Sequence, residues 1–342
     1  MVFNIETRKV QKTGGSSFIV SLPIEWIKSH KIHKHHKGYS LGIITQPDGN
    51  LLVTPNPNSE DILKTKSFNV DEIKDYNFLF RVLIGAYIMG YSKIVIKSSK
   101  KFEPFVRDCV INFTQIAIGP EIIEESTQNI LIKDLLNPKE MPFEKTIRRM
   151  YILAETMHED AITALKTSDK ELAEEVIKRD NDIDRLHWLI CRQSSIVLRD
   201  IILSQKMGIT LEDANHYQQM SRLLERTGDH AVKIAKNAIK IIDSGNGATV
   251  IEKIVTASEI SIKILKKSLD AWLQKDMVLA NKNIESIAEL IETCEEKTIS
   301  ADHSDIETYV ASSYIFESIR RTGEYAGDIS EIIINNLIKE NE

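Results

Sequence analysis

The sequence predicts a multidomain α+β chain with a small β-rich head, a small α/β middle unit and an all-α body of two tandem three-helix bundles. Short β-branched segments separated by glycine and proline fill the first 55 residues, and strand and helix patterns alternate from about residue 60 to 140. No proline follows residue 142, and one helical segment of the remainder occurs twice. A length of 342 residues fits two or three domains at about 150 residues each.

Composition limits the functional class. Apolar residues make up 42% and charged residues 27%, so a core can form and long disorder is excluded. Cys109, Cys191 and Cys294 are too widely spaced for a zinc ribbon or a disulfide scaffold, and they fit a reducing compartment. There is no apolar segment long enough to span a bilayer and no signal peptide pattern. We therefore expect a soluble cytoplasmic protein.

The head, residues 1–56, is expected to contain two hairpins and one short helix. Residues 16–22 are apolar and β-branched and follow Gly14-Gly15, and Pro23 suits the first turn of a helix. Residues 39–45 and 51–54 flank a Pro-Asp-Gly turn. Residues 1–55 carry a net charge of +4, whereas the remainder carries −10. An anionic partner is therefore expected for the head only.

A histidine-rich loop follows the predicted helix of the head and contains His30, His33, His35 and His36. It contains no cysteine, and its spacing fits no standard zinc site. A mobile loop that adds phosphate contacts is the favoured interpretation, and a transition-metal or pH-sensitive patch is the alternative.

The middle unit, residues 60–140, alternates helix and strand patterns. Residues 71–91 and 105–118 have helical periodicity, and residues 92–97 form a strand pattern between them. Residues 121–125 and 129–133 flank a Ser-Thr-Gln turn and are expected to pair. The predicted order is βαβαββ.

The body, residues 145–340, is predicted to be helical throughout. Five or six helices of about 20–35 residues, joined by short loops, favour an antiparallel bundle. Met220 to Ile239 and Ile315 to Ile334 share an Arg-Thr-Gly-acid-aromatic-Ala string. This repeat defines two units, residues 145–242 and 248–340. A glycine inside a helix costs about 1 kcal/mol relative to alanine, so the two matched glycines indicate close approach by a neighbouring helix or a ligand.

Carboxylates in the body have the spacing of metal ligands. Asp180 with Asp184, and Glu225 with Asp229, are i,i+4 pairs on two helices, and face to face they would offer four carboxylates to a hard cation. Oxygen ligands select Mg²⁺, Mn²⁺ or Ca²⁺, and nearby His187 would admit iron or nickel. The alternative is a solvated acidic face with salt bridges to arginines. A weaker second set comprises Glu317, Glu324 and Asp328, with Glu331 on the same stripe.

The segment RLLERTGDHAVKIAKNAI, with DNDIDRLHWLICRQ before it, resembles the PhoU family. The resemblance implies tandem three-helix bundles, regulation of phosphate uptake and a metal cluster held by E(D)xxxD motifs. These motifs match Asp180, Asp184, Glu225 and Asp229. The second unit departs from the pattern, because Arg320 stands where Glu225 does, and Ile287 and Ile291 occupy the places of the first acidic pair.

The segment RKVQKTGGSSFIVSLPIEWIKSH resembles the AbrB/SpoVT looped-hinge DNA-binding domain. That family dimerises through interlocking, swapped hairpins and places basic residues of its first strand and turn on DNA. The resemblance implies a homodimer in which Arg8, Lys9, Lys12 and Thr13 contact DNA. The combination of head, middle unit and body is similar to archaeal PhoU-like regulators.

Three functional hypotheses follow. The first is a DNA-binding transcriptional regulator of phosphate uptake whose body senses metal, inorganic phosphate or a partner protein. The second is an adaptor that docks on a phosphate ABC transporter ATPase or a sensor kinase, with a head that only dimerises. The third is a metal-dependent oxidase or storage bundle, which would need a second Asp/Glu-x-x-His motif on the paired helix, and neither Glu225 nor Asp229 has a histidine three residues further on. With no catalytic motif in the sequence, we expect a protein that is not an enzyme.

Overall fold

The computed structural model describes residues 5–32, 39–46, 49–55, 64–245, 248–299 and 305–339. The chain divides into two compact units, Met1–Ile62 and Leu63–Glu342. His33, His35 and His36 of the predicted histidine-rich loop lie outside the described residues.

The first unit contains two antiparallel hairpins and a short helix. Its elements are β1 (Gln11–Thr13), β2 (Ser17–Ile19), α1 (Ile24–Ser29), β3 (Gly42–Thr45) and β4 (Leu51–Thr54). Strand β1 pairs with β2, and β3 pairs with β4. Gly14 adopts a φ of +62° in the first turn, a conformation that glycine reaches without a steric penalty. The predicted strands and helix are therefore present.

This first unit has no core of its own among its described residues. None of them is buried. The solvent-exposed fraction is between 66% and 68% for Val10, Phe18 and Ile43, and it is 88% for Ile5. Exposed apolar residues grouped on neighbouring strands are typical of a surface that contacts another molecule.

The second unit begins with a four-stranded sheet packed by two helices. Its elements are β5 (Thr65–Asn69), α2 (Tyr76–Ile88), β6 (Lys93–Lys97), α3 (Pro104–Ile116), β7 (Pro120–Glu125) and β8 (Asn129–Asp134). The spatial order is β5-β6-β8-β7, with β5 parallel to β6 and the other pairs antiparallel. The predicted βαβαββ order is observed. Helix α2 starts later than predicted because Asp75 is extended and caps it by accepting the Asn77 N–H.

Nine helices in the described residues follow. They are α4 (Phe143–Thr167), α5 (Lys170–Lys178), α6 (Asp180–Val197), α7 (Ile201–Met207), α8 (Leu211–Ser244), α9 (Ala248–Gln274), α10 (Met277–Glu285), α11 (Ile287–Ile299) and α12 (Ile306–Lys339). The prediction of five or six long helices was wrong. Asp169, Asp200 and Asp276 cap the short helices α5, α7 and α10 and divide the long helical segments. No helix in these residues is long and apolar enough to cross a membrane.

The internal repeat is visible in the helices. Helices α8 and α12 each contain 34 residues and begin at positions that the repeat makes equivalent. They pack extensively against each other, and the rings of His230 and Tyr325, which are equivalent in the repeat, lie 5.7 Å apart. The α9–α10–α11 succession repeats α4–α5–α6. One continuous apolar core runs through both repeats.

The matched glycines serve helix packing. A Cβ placed on Gly228 would lie 2.9 Å from Cγ2 of Ile183 on α6, and a Cβ on Gly323 would collide with Leu290 on α11. Ile183 and Leu290 hold equivalent places on their helices. Of the two explanations that the sequence allowed, close approach by a neighbouring helix therefore applies to both glycines.

Arg192 joins the α/β part of the second unit to its helical part. Its Nη2 lies 2.5 Å from Asp134 Oδ2 on β8, and its Nη1 donates to the carbonyl oxygens of Tyr87 and Tyr91. The guanidinium also lies over the Tyr87 ring, 4.8 Å from its centre. Because the arginine side chain is only 4% exposed, removal of Asp134 would leave a buried charge unpaired.

Candidate functional site

The candidate site lies where α6 crosses α8. Asp180 and Asp184 lie on the first turns of α6, and Glu225 and Asp229 lie in the middle of α8. The contact of Ile183 with Gly228 holds the two helices close together. Each acidic pair therefore flanks a point of close helix approach, and all four carboxylates are partly buried.

Burial and mutual repulsion disfavour ionisation in this cluster. Burial, followed by the charges of Asp180, Glu225 and Asp229, raises the pKa of Asp184 to about 7. Burial and the charge of Asp229 also raise the pKa of Asp180 and of Glu225. The acidic pairs of α6 and α8 therefore lie close enough to influence each other's ionisation.

Basic side chains compensate the cluster only in part. The charge of Lys236 lowers the pKa of Asp180, and the charges of Arg226 and Arg222 lower the pKa of Glu225, but burial and the neighbouring carboxylates outweigh them. The Oδ1 atom of Asp180 is buried and has no hydrogen-bond partner. Among the residues described, no lysine, arginine or histidine forms a salt bridge with any of the four carboxylates. The salt-bridged acidic face, which was the alternative interpretation, does not describe this cluster.

The carboxylates are grouped but do not converge on one point. Within the described ranges, no three His, Cys, Asp or Glu side chains are placed to hold one metal ion. The donor set is nevertheless suitable for a hard cation, because it consists of carboxylates, one of which has an orphaned oxygen. Side-chain rotation would have to bring the oxygens together.

His187 faces a different set of groups. Its Nδ1 lies 3.0 Å from Ser221 Oγ on α8, and its Nε2 lies 3.6 Å from Cys191 Sγ. Burial and the charge of Arg222 lower the pKa of His187 to about 4, so the ring is neutral near pH 7. The sequence did not lead us to predict Ser221 as a neighbour of this site. Its position four residues before Glu225, which places both side chains on the same face of α8, was the available signal.

The second acidic set is neutralised by arginines. Arg320 Nη2 lies 2.7 Å from Glu317 Oε2, and Arg321 Nη1 lies 3.1 Å from Glu324 Oε2. Each arginine contacts both glutamates. Burial and the charges of Glu331 and Glu324 raise the pKa of Asp328. The salt-bridge interpretation thus accounts for Glu317 and Glu324.

Isoleucines replace the first acidic pair in the second repeat. Ile287 begins α11 at the place of Asp180 and lies against Gly327 on α12. Ile291 occupies the place of Asp184. The contact of α11 with α12 at these positions is therefore apolar, and only the first repeat presents two facing acidic pairs.

The four residues predicted to contact DNA lie on the first hairpin of the head or just before it. Lys12 and Thr13 lie on β1, and Arg8 and Lys9 precede it. All four are exposed. Arg8 forms a salt bridge with Glu6, which reduces the positive charge that this strand presents.

Comparisons with known proteins support the resemblance of the body. Residues 147–238 match the family model of the PhoU domain. A phosphate-specific transport system accessory protein PhoU homolog from Clostridium acetobutylicum is 27% identical over 195 residues, which are 54% of this chain and 86% of the relative. A homolog of the same description from Aquifex aeolicus is 33% identical over 155 residues, covering 45% of this chain and 66% of the relative.

A solved structure is also similar. The crystal structure of PhoU from Pseudomonas aeruginosa has a TM-score of 0.47 and 24% identity, covering 58% of this chain and 96% of that chain. The predicted similarity to PhoU proteins is confirmed for the first helical repeat, and the matched range contains all four residues of the acidic cluster. The resemblance of the head to AbrB/SpoVT domains stays a prediction.

The raised pKa of Asp184 predicts a pH-dependent stability effect. The pKa of Asp184 is about 7 in the folded chain, whereas its ordinary value is 3.8. Because the folded chain holds this proton more tightly, the stabilisation that protonated Asp184 provides is complete below about pH 4 and is lost as the pH rises through about 7. In metal-free protein, Asp184→Asn should raise the free energy of unfolding at about pH 8 by about 1–2 kcal/mol and change it little at about pH 4. Urea unfolding measures both values. Exposed Asp182→Asn is the control, and equal effects of Asp184→Asn at the two pH values would contradict the assignment.

Proposed function

We propose that this protein is a regulatory accessory component of a phosphate transport system and acts by protein–protein contact. The PhoU-domain match over residues 147–238 is the observation that carries this proposal. The curated relatives bear the description of phosphate-specific transport system accessory protein. A transporter ATPase or a sensor kinase is the expected partner. The exposed faces of the long helices provide the surface for such contact.

Deletion of the gene should change phosphate uptake, because the transporter would lose its regulator. Uptake of radioactive phosphate by deletion cells, at high and low external phosphate, measures the effect. The full-length chain, tagged and cross-linked in cells, should recover the transporter ATPase or a sensor kinase. Unchanged uptake at both concentrations, together with recovery of neither protein, would contradict the proposal.

We also propose that the acidic cluster of the first repeat binds a divalent cation. The support is four partly buried carboxylates, with an unpartnered oxygen on Asp180 and with the pKa of Asp180, Asp184 and Glu225 raised by burial and neighbouring charges. A cation would offset the repulsion that now disfavours ionisation. It would also supply exposed coordination sites for inorganic phosphate. Mg²⁺ and Mn²⁺ suit an all-carboxylate set, and iron or nickel would require His187 to turn towards it.

Elemental analysis of the purified protein tests the cation. Wild-type protein and the exposed control Asp182→Ala should carry the same cation, whereas Asp184→Ala combined with Glu225→Ala should lose it. The double variant removes one carboxylate from each helix, and the two carboxylates that remain are too few to hold the cation. Equal metal content in wild type, the control and the double variant would mean that the metal does not bind at the acidic cluster, which would contradict the proposal. A Glu317→Ala variant, in which an arginine-paired carboxylate is removed, should keep the metal.

DNA binding by the head is the second candidate function. The exposed hairpin that carries Lys9, Lys12 and Thr13 favours it, because phosphate contacts need accessible cations. Homodimerisation would double the positive charge. It would also cover the exposed apolar residues of a unit whose described part has no core. In this arrangement the head would read DNA, and the body would respond to metal, phosphate or a partner.

Neutralisation of the hairpin tests DNA binding. Arg8→Gln, Lys9→Gln and Lys12→Gln together should abolish binding to the promoter of phosphate-transport genes, and light scattering should still show a dimer. Wild-type affinity should fall steeply with salt. A control with Lys100, Lys101 and Lys166 changed to Gln loses the same charge at exposed positions elsewhere. If wild-type protein binds the phosphate-transport promoter and an unrelated promoter equally weakly, DNA binding is not specific and only the adaptor function remains.

A further inference from the structure

Two arginines flank the acidic cluster without pairing with it. Arg222 and Arg226 lie one turn apart on α8, three residues before Glu225 and Asp229, respectively. Both arginines are exposed, and neither forms a salt bridge among the residues that the structure describes. Burial and the charge of Asp229 raise the pKa of Glu225, and the charges of both arginines oppose this rise. The arginines therefore lie within electrostatic reach of the cluster.

The second repeat has the same two positions with exchanged charges. Glu317 is equivalent to Arg222, and Arg320 is equivalent to Glu225. In the second repeat this acid and this arginine pair at the spacing i,i+3, with Nη2 of Arg320 2.7 Å from Oε2 of Glu317. Arg222 and Glu225 have the same spacing, yet they form no salt bridge. Cations and carboxylates thus lie side by side in the first repeat, and both are available to other groups.

An aromatic ring of the second repeat positions one of the two arginines. The guanidinium of Arg226 lies over the Tyr325 ring of α12, 5.9 Å from the ring centre. A guanidinium on an aromatic face keeps the N–H groups at its edge free to donate. The acidic cluster therefore has the carboxylates of Asp180 and Asp184 on its α6 side and a positioned guanidinium on its α12 side.

This combination suits a cation and an oxyanion bound together. The carboxylates would hold the cation, and the guanidinium groups would meet the oxyanion that the cation carries. Arginine donates two parallel N–H bonds to a phosphate group, which makes it the preferred side chain for this anion. Exposed arginines alone would hold phosphate weakly, because water and salt screen their charge. The cation would therefore supply much of the attraction.

We propose that Arg222 and Arg226 bind inorganic phosphate that is coordinated to the cation of the acidic cluster. This inference rests on the cation proposed above and adds the residues that hold its phosphate ligand. One phosphate oxygen occupies a coordination site of the cation, and other oxygens accept hydrogen bonds from the guanidinium groups. The coupling is reciprocal: the cation raises the affinity for phosphate, and phosphate raises the affinity for the cation by the same factor. The metal occupancy of the body thereby follows the phosphate concentration.

Equilibrium dialysis of the full-length chain against radioactive phosphate, with and without Mn²⁺, tests the proposal. Wild-type protein should bind phosphate at least about tenfold more tightly with Mn²⁺ than without it. Arg222→Gln combined with Arg226→Gln should weaken phosphate binding by at least about tenfold and keep the Mn²⁺ content, because no carboxylate is changed. The control, Arg148→Gln combined with Arg149→Gln, removes two exposed arginines of α4 and should bind as wild type does.

Electron paramagnetic resonance of free Mn²⁺ measures the reciprocal effect. Phosphate should raise the Mn²⁺ affinity of wild-type protein and leave that of the Arg222→Gln, Arg226→Gln variant unchanged. Thermal unfolding shows that each variant folds, and the two single variants carry the same test if the double variant does not fold.

The outcomes separate this inference from the cation proposal. If wild-type protein binds no Mn²⁺, the cation proposal fails and this inference fails with it. If wild-type protein binds Mn²⁺ but binds phosphate equally well with and without it, or if the double variant binds phosphate as wild type does, the cation proposal stands and the role of the arginines is overturned. Sulfate that competes as well as phosphate would overturn the assignment of the ligand.

Discussion

The contact between Ile183 and Gly228 is the constraint on which the site of the first repeat depends. The absence of a side chain on Gly228 lets α6 approach α8, and a Cβ there would meet Ile183 within 3 Å. The neighbouring residues Asp184 and Asp229 are carried into the same interface. Close approach therefore explains both the packing of the repeat and the crowding of its carboxylates.

The two repeats share the helix contact at the matched glycine but differ in the charged residues around it. In the second repeat Leu290 lies on Gly323, Ile287 replaces an aspartate, and Arg320 and Arg321 pair with Glu317 and Glu324. Its acids are compensated within the chain. In the first repeat the carboxylates repel one another and raise the pKa of Asp184. The acids Glu317 and Glu324 of the second repeat are thus paired with arginines, whereas the carboxylates of the first repeat have no salt bridge among the described residues.

The second unit behaves as one body because its parts share buried polar contacts as well as apolar ones. Arg192 on α6 reaches the sheet through Asp134, and Trp188 on the same helix meets the ring of Phe80 on α2. The helix that carries Asp180 and Asp184 therefore also anchors the α/β part.

Local sequence by itself determined most of the elements. Proline and glycine positions marked the hairpins of the head, alternating periodicities marked the βαβαββ order, and i,i+4 spacing placed the two acidic pairs on helix faces. The repeat of Thr227-Gly228 at Thr322-Gly323 predicted close approach by either a neighbouring helix or a ligand. These features depend on backbone geometry and on neighbours within one or two turns, which a linear pattern records.

The tertiary structure decided what those faces meet. Only the packing of α6 on α8 shows that Asp184 is crowded by three carboxylates while His187 turns to Ser221. The pairing of Arg192 with Asp134 joins residues 58 positions apart. Burial and charge coupling arise from contacts between remote residues, and no local spacing in the chain encodes which remote residues meet.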